Sequence, residues 1–298
     1  MPLNSPTDKQ QHREKTGDLY VVTTPIGNME DITIRALKTL GQVDLVAAED
    51  TRHTGRLLAY HDIKNNLISY HEHNEHMRTP VLIHHLKTGS SVALVTNAGT
   101  PAVSDPGYRL VKEAIANQIR VVPIPGVSAV ITAISAAGLP TDAFIFAGFP
   151  ARKKSKRIEQ LKALADENRT LIFYESPGRI LSFMEEIMNV MGNRYCVLCR
   201  EMTKLYEEFL RGVLSEIMDT LRQRPAVKGE CTLLIKGREE NNEVSLDIVR
   251  TELIKGLEKK GSKLSEVTRT VAQKYGLPKN KVYEEALKLK AEASEGKD

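Results

Sequence analysis

The sequence predicts two consecutive α/β domains followed by a small helical domain. Three observations carry this. Short β-branched runs alternate with stretches whose apolar residues fall at helical spacing, the pattern of strands joined by crossover helices. Three glycine-bearing turns each follow a strand-like run. Near residue 240 the strand patterns stop and only helical ones continue.

The elements follow in order. Residues 1–16 are polar and mixed in charge, without the apolar stretch of a signal peptide, and read as a disordered tail. The first α/β domain is expected over 17–125. It has strands at 19–22, 43–48, 92–95 and 120–124, a helix over 32–40 with apolar residues at 32, 34, 37 and 40, and another over 108–116. The seam falls at Pro125-Gly126. The second α/β domain, 126–238, should hold strands at 144–146, 170–174 and 196–198 and helices at 156–165 and 180–190, with 209–213 and 231–235 as antiparallel members. The helical domain, 239–298, shows three patterns, 246–257, 264–275 and 281–289. Gly261 and Gly276 stand where helix ends accept a positive φ.

Composition narrows the class. Of 298 residues, 41% are hydrophobic and 27% charged, ordinary values for a globular protein, and with no Trp the core must rest on aliphatic side chains. A net charge of +4 permits a nucleic-acid partner without arguing for one. The longest apolar-leaning run, 127–139, is too short to span a bilayer, so no membrane association is expected. Three cysteines in so long a chain fit a reducing compartment, which points to the cytoplasm. Cys196 and Cys199 form a C-x-x-C, but on a strand their side chains point to opposite faces, and no second pair completes a zinc site. No metal is expected.

The dinucleotide fingerprint G-x-G-x-x-G is missing after the first strand, and no P-loop is present. The glycine turns are Thr24-Pro25-Ile26-Gly27-Asn28, Asn97-Ala98-Gly99-Thr100-Pro101 and Ile124-Pro125-Gly126-Val127-Ser128-Ala129. Alone, each is ordinary loop punctuation. At the carboxyl edge of one parallel sheet, where such sheets bind ligands, the three together read as a cradle into which backbone groups can reach.

These turns stand among further segments: Ala48-Glu49-Asp50-Thr51-Arg52, His73-Asn74-Glu75, Ser104-Asp105-Pro106-Gly107, Phe173-Tyr174-Glu175-Ser176-Pro177, Arg200-Glu201-Met202-Thr203-Lys204 and Lys228-Gly229-Glu230. On them the chain, from about Gly17 to Gly237, resembles the tetrapyrrole-methylase-like S-adenosylmethionine methyltransferases. Within that class it is most similar to the branch that 2′-O-methylates small-subunit ribosomal RNA. The resemblance implies two α/β domains with the S-adenosylmethionine cleft between them. Cofactor contacts would come from Pro25, Ala98, Gly99, Thr100, Val103, Ser128 and Ala129, and from Tyr174, Glu175 and Met202. It also implies a cytidine ribose in the decoding region of 16S ribosomal RNA as target, the small ribosomal subunit as partner, and a homodimer. The branch usually carries Asp where this chain has Asn97, which puts a carboxylate base at that position in doubt.

Methyl transfer to a ribose hydroxyl needs a positioned nucleophile and a group to handle its proton. Glu49, Asp50, Arg52, Asp105 and Lys204, with Glu201, form the candidate catalytic set; Asp50 could instead cap a helix. His71, His73 and His76 have spacings unlike a helical metal pair and read as a solvated loop near the substrate. Arg152, Lys153, Lys154, Lys156 and Arg157 lie in a loop entering a helix and suit RNA phosphates; without interleaved aromatics they would track backbone, not sequence. From Arg250 to Asp298 twelve Lys/Arg outnumber eight Asp/Glu, and the pattern there fits either a helix-turn-helix or a small bundle. The competing readings are a methyltransferase of a tetrapyrrole or corrinoid precursor and a non-catalytic RNA-binding regulator. The basic loop and the helical end favour RNA.

Overall fold

The computed structural model describes residues 16–238, 246–257, 263–275 and 277–295. The tail expected over 1–16, Thr16 apart, and the helix stops at Gly261 and Gly276 lie outside these residues. The chain divides into two compact units, Met1–Arg238 and Glu239–Asp298.

The first unit holds two five-stranded sheets. The first is built from β1 (Leu19–Val22), α1 (Ile34–Gln42), β2 (Leu45–Ala48), α2 (Thr51–Tyr60), β3 (Leu67–Ser69), α3 (Glu75–Lys87), β4 (Val92–Val95), α4 (Tyr108–Ala116) and β5 (Val121–Ile124). Its strands are all parallel, in the order β3-β2-β4-β1-β5. A parallel sheet needs helices on both faces, and so its strands are apolar throughout. Leu82, Ile83, Leu86, Leu110 and Ala114 of α3 and α4 cover one face. Ala36, Leu40 and Leu58 of α1 and α2 cover the other.

After α5 (Ala129–Ala137) come β6 (Phe144–Gly148), α6 (Lys154–Ala163), β7 (Thr170–Glu175), α7 (Ile180–Met191), β8 (Tyr195–Arg200), β9 (Glu208–Val213), α8 (Leu214–Arg222) and β10 (Cys231–Ile235). The second sheet runs β6-β7-β10-β8-β9, with only β6 and β7 parallel. Strands 209–213 and 231–235 are thus antiparallel members, as their sequence predicts. One face is packed by α7 and α8 through Phe183, Met184, Ile187, Ile217 and Met218. The other carries α5, where Val130, Ala133 and Ile134 meet Ile172, Val197 and Leu234, joined by Ile26 and Ala98 of the first half. Cys196 and Cys199 fall in these two different clusters, on opposite faces. All three cysteines are free and buried, and burial raises Cys196 and Cys199 to about 12.

The second unit comprises α9 (Leu246–Leu257), α10 (Leu264–Tyr275) and α11 (Lys279–Glu295). It has its own apolar core of Val249, Leu253, Val267, Val271, Ala272, Val282 and Ala286. No helix among the described residues is long and apolar enough to cross a membrane.

Several expectations shift. The helix expected from 32 starts at Ile34 because the Thr33 side chain caps it, accepting the Ala36 N–H at 3.1 Å. The helix expected at 156–165 runs two residues earlier, and the last extends to Glu295. The periodicity gives no expectation of α2, β3, α3, α5 or α8. In α3, Pro80 interrupts an otherwise weak amphipathic pattern. α5 is rich in small and apolar residues around its circumference, which blurs a helical stripe.

Candidate active site

The order of the first sheet puts β4, β1 and β5 side by side. Their parallel direction brings the three glycine turns to one edge. The turns after β1 and β4 are joined directly: the Thr24 N–H donates to the Gly99 carbonyl at 3.0 Å and the Gly99 N–H to the Thr24 carbonyl at 3.1 Å. The Thr24 hydroxyl donates to the Thr96 carbonyl at 3.0 Å. Gly99 has φ +79°, a left-handed conformation that favours glycine. Gly126, in the third turn, lies against Thr23: a Cβ there would come within 2.9 Å of the Thr23 Cβ.

Above this edge opens a cleft of about 460 Å³. From the first half it is lined by Ile26, Glu49, Asn97, Ala98, Gly99, Thr100, Val103, Ser104, Asp105, Ser128 and Ala129. From the second sheet come Phe149, Tyr174, Glu175, Ser176, Pro177, Met202, Glu230, Cys231 and Thr232. Every residue expected to hold the cofactor lines it except Pro25, which is buried and precedes Ile26 in the chain.

Phe149, Cys231 and Thr232 lie outside every segment singled out from the sequence for the site. Strand register places the last two: Cys231 pairs with Glu175 and Thr232 with Tyr174, a pairing that no sequence motif reports. Phe149 follows Gly148, which ends β6 at φ +66° and where a Cβ would come 3.2 Å from the Ser104 hydroxyl, a closeness between the two halves that the sequence does not report.

Tyr174 packs edge-on to Phe146 at 4.9 Å and against Phe149 at 5.4 Å between ring centroids. Met202 enters from a tight loop in which Glu201 and Thr203 both take positive φ, 52° and 66°. Two non-glycine residues in that region cost about 1–3 kcal/mol each and persist only where the surroundings enforce them. Here Glu201 accepts the Glu230 N–H at 2.9 Å and returns its own N–H to the Glu230 carbonyl, while Thr203 receives the Asn28 N–H at 3.1 Å.

The expected catalytic set separates. Glu49 and Asp105 line the cleft. Glu49 Oε2 accepts the Asn97 N–H at 3.0 Å. Burial, and then the charge of Glu49, push the Asp105 carboxyl up to about 7. Burial, with Asp105 adding to it, pushes Tyr174 up to about 12.

Asp50 and Arg52 are not brought into the cleft. Asp50 caps α2, accepting the Arg52 N–H at 2.8 Å, and it pairs with the Arg52 guanidinium, whose side chain is 88% exposed. Those bonds from Arg52 hold Asp50 at about 2. The second residue after β2 stands at the start of a new helix, and its carboxylate takes the unpaired N–H groups of Arg52 and His53. Lys204 is also outside the lining, tied to Glu201 at 2.9 Å and Glu230 at 3.1 Å and packed over Gly27.

A second cavity, of about 510 Å³, adjoins the cleft and shares Ser104 and Asp105 with it. Glu72, Glu75, Tyr108, Arg109 and Lys112 contribute to its walls. The histidine-rich segment lies beside it: the Asn74 side-chain carbonyl accepts the His71 N–H at 2.8 Å, and His76 Nε2 faces Arg109 at 3.0 Å. Among the described residues no group of three or more His, Cys, Asp or Glu is arranged to hold a metal ion.

The basic run divides too. Arg152, Lys153, Lys154 and Lys156 are exposed, three to seven residues beyond Phe149. Arg157 is 8% exposed and forms a bidentate pair with Glu186 at 2.5 and 2.7 Å. It also donates to the carbonyls of Ala151 and Arg152, so four of its five N–H donors brace the loop and the buried guanidinium is turned away from solvent and RNA.

The cleft suits an adenosyl-sulfonium ligand. It has the size of small-molecule sites and an aromatic wall in Tyr174 and Phe149. Gly99 opens the backbone, with no atom nearer than 3.7 Å to where a Cβ would stand. Asn97 Oδ1 is buried without a partner, an acceptor awaiting a donor.

Residues 18–218 match the family described as Tetrapyrrole (Corrin/Porphyrin) Methylases. The chain is 44% identical over 277 residues to ribosomal RNA small subunit methyltransferase I of Halalkalibacterium halodurans, covering 92% of this chain and 96% of that protein. It is 45% identical over 275 residues to the protein of the same description from Escherichia coli O157:H7, covering 91% and 95%. Among solved structures, uroporphyrin-III-C-methyltransferase from Thermus thermophilus aligns with a TM-score of 0.55 at 21% identity, over 74% of this chain and 94% of that one. The same Thermus enzyme complexed with S-adenosyl homocysteine aligns at 0.54 and 18% identity, over 73% and 97%. At these identities the solved structures establish the fold.

Proposed function

Because the chain belongs to the small-subunit ribosomal RNA methyltransferase I family of tetrapyrrole methylases, which are S-adenosylmethionine-dependent enzymes, we propose that it methylates the ribose 2′-hydroxyl of a cytidine in the decoding region of 16S ribosomal RNA. The observation that carries this reading is the cleft. Turns from three neighbouring parallel strands form its floor, Tyr174 and Met202 close it from the second sheet, and exposed cations stand close beyond Phe149 in the chain.

In this reading the backbone of Ala98, Gly99 and Thr100 and the start of α5 at Ser128 and Ala129 hold the cofactor, and Tyr174, Glu175 and Met202 cover it. When bound there, S-adenosylmethionine would supply an electrophilic methyl group, its sulfur keeping the electron pair of the carbon–sulfur bond as the leaving group. The protein's share is placement: lining up the hydroxyl with that carbon and excluding water, which lowers the barrier mainly through orientation. Arg152, Lys153, Lys154 and Lys156 contact phosphates and leave sequence to be read elsewhere. The partner is the small ribosomal subunit, the setting is the cytoplasm and the working form is a homodimer.

One assay tests the reading. Labelled methyl transfer is measured to assembled small subunits, to naked 16S RNA and to a tetrapyrrole pool, and the RNA is then digested with alkali. Label in an alkali-resistant dinucleotide beginning with cytidine is expected. Label only in a macrocycle, or cofactor binding without any transfer, overturns it.

A further inference from the structure

Of the residues expected to form the catalytic set, all but one are already committed. Asp50 caps α2, Glu49 holds the Asn97 N–H, and Lys204 is bound by two glutamates. Asn97 has no basic group at all. The Asp105 carboxylate makes no hydrogen bond or ion pair with any described residue.

Its placement is not casual. Ala102 and Ser104 have positive φ, 70° and 63°, so the loop that carries Asp105 is strained at two points, and Gly107 at 139° supplies a third positive φ that glycine takes freely. The conformation is enforced from below, since a Cβ at Gly107 would come within 2.8 Å of Leu94 and 3.2 Å of the Ala102 nitrogen. The loop is also pinned by the Ala102 N–H donating to the Pro106 carbonyl at 3.2 Å. It forms the partition between the cofactor cleft and the second cavity, and Asp105 belongs to both.

We propose that the second cavity receives the acceptor nucleotide and that Asp105, in the wall it shares with the cofactor cleft, is the catalytic base. This deepens, and rests on, the reading of the enzyme as an RNA ribose methyltransferase. As the hydroxyl oxygen bonds to the methyl carbon, its proton passes to an Asp105 oxygen and from there to solvent through the open cavity. Tyr108, 69% exposed, offers a ring on which a base can stack, and Lys112, which has no ion pair among the described residues, offers a phosphate contact.

The groups around Asp105 set its proton affinity. Glu49 at the end of β2 faces it within the cleft, along with Tyr174 and Glu175 of β7 and Glu230 before β10. Glu175 is paired with Arg179 at 3.0 Å and Glu230 with Lys204. Across the second cavity stand Glu72 and Glu75, and Tyr108, Arg109, Lys112 and Glu113 of α4, with Arg109 paired to Glu75 at 3.3 Å. Burial and Glu49 thus bring Asp105 to about 7, the range in which a general base works best near neutral pH.

The test measures kcat and kcat/KM against pH for the wild type, Asp105→Asn, Glu49→Gln and Lys112→Glu on small-subunit RNA, with cofactor Kd by calorimetry. The wild-type kcat/KM should rise about tenfold per pH unit below about 7 and then level off. Asp105→Asn should lower kcat by about 100-fold or more with unchanged cofactor Kd. Glu49→Gln should move the bend to lower pH, because a like charge is removed. Lys112→Glu should raise KM for RNA and move the bend far less than Glu49→Gln does, because Glu49 is the charge that acts on Asp105. Asp105→Asn retaining more than about a tenth of wild-type kcat, losing cofactor affinity, or a bend indifferent to Glu49→Gln, overturns the assignment alone. No transfer to RNA by the wild type overturns the reading beneath it and this assignment together.

Discussion

Arg157 and Glu186 join α6 to α7 through a buried bidentate pair, 2.5 Å from Nε and 2.7 Å from a terminal nitrogen, with both side chains nearly out of solvent. Breaking such a pair from one side leaves an uncompensated buried charge. Arg157→Ala should therefore lower stability by about 3–5 kcal/mol, read as a fall in denaturant midpoint. Replacing both partners with Met and Leu should recover much of that loss. A surface arginine engaged only with RNA would leave the midpoint where it is.

The neighbouring lysines should behave in the opposite way. Lys153→Glu, Lys154→Glu and Lys156→Glu together should leave the denaturant midpoint within about 0.5 kcal/mol of wild type. RNA affinity should fall, and the log–log salt dependence of binding should become shallower by about two to three units as phosphate contacts are lost. Cofactor affinity should not change. Filter binding across a salt series, with calorimetry for the cofactor, reads all three.

Gly99→Val should abolish cofactor binding. The left-handed φ of +79° costs a β-branched residue about 1–3 kcal/mol, and the side chain would project into the cleft that Ile26 borders. Gly178, with no atom within 4 Å of its would-be Cβ and no positive φ, provides the control, and Gly178→Ala should leave cofactor Kd unchanged.

Asp105 should also leave a mark on stability. Its folded carboxyl titrates near 7 against an ordinary value of 3.8, so between those values the folded chain holds a proton that the unfolded chain has lost. Its contribution to stability is therefore most favourable below pH 4, falls as pH rises toward 7 and is level above. Asp105→Asn removes this dependence. Its gain in Tm over wild type should grow from pH 5 to pH 8 and correspond to about 1 kcal/mol, the open carboxylate being well screened.

Much of this was legible in the sequence. The three glycine turns and the segments around Glu49, Asp105, Tyr174 and Met202 mark chemistry locally, so they could be read residue by residue. What escaped reading depends on pairing over distance. Cys231 and Thr232 reach the cleft only through the antiparallel register of β10 with β7. Arg157 reads as one more cation in a basic run until Glu186, 29 residues later, is folded beside it. Asp50 and Asp105 are the same residue type in equally suggestive surroundings. A helix start claims the first, and a strained loop leaves the second free, a difference that no composition or spacing carries.

The paired hydrogen bonds between Thr24 and Gly99 have a thermodynamic consequence. Two loops from different strands, 75 residues apart in the chain, are held as one body by the folded protein itself. The ordering entropy of that half of the cradle is met during folding and is not charged to association. Cofactor capture should accordingly proceed in a single fast phase with little change in amide exchange at Thr24 or Gly99, and any slow step should belong to the Glu201–Lys204 side, where the cover is a separate loop.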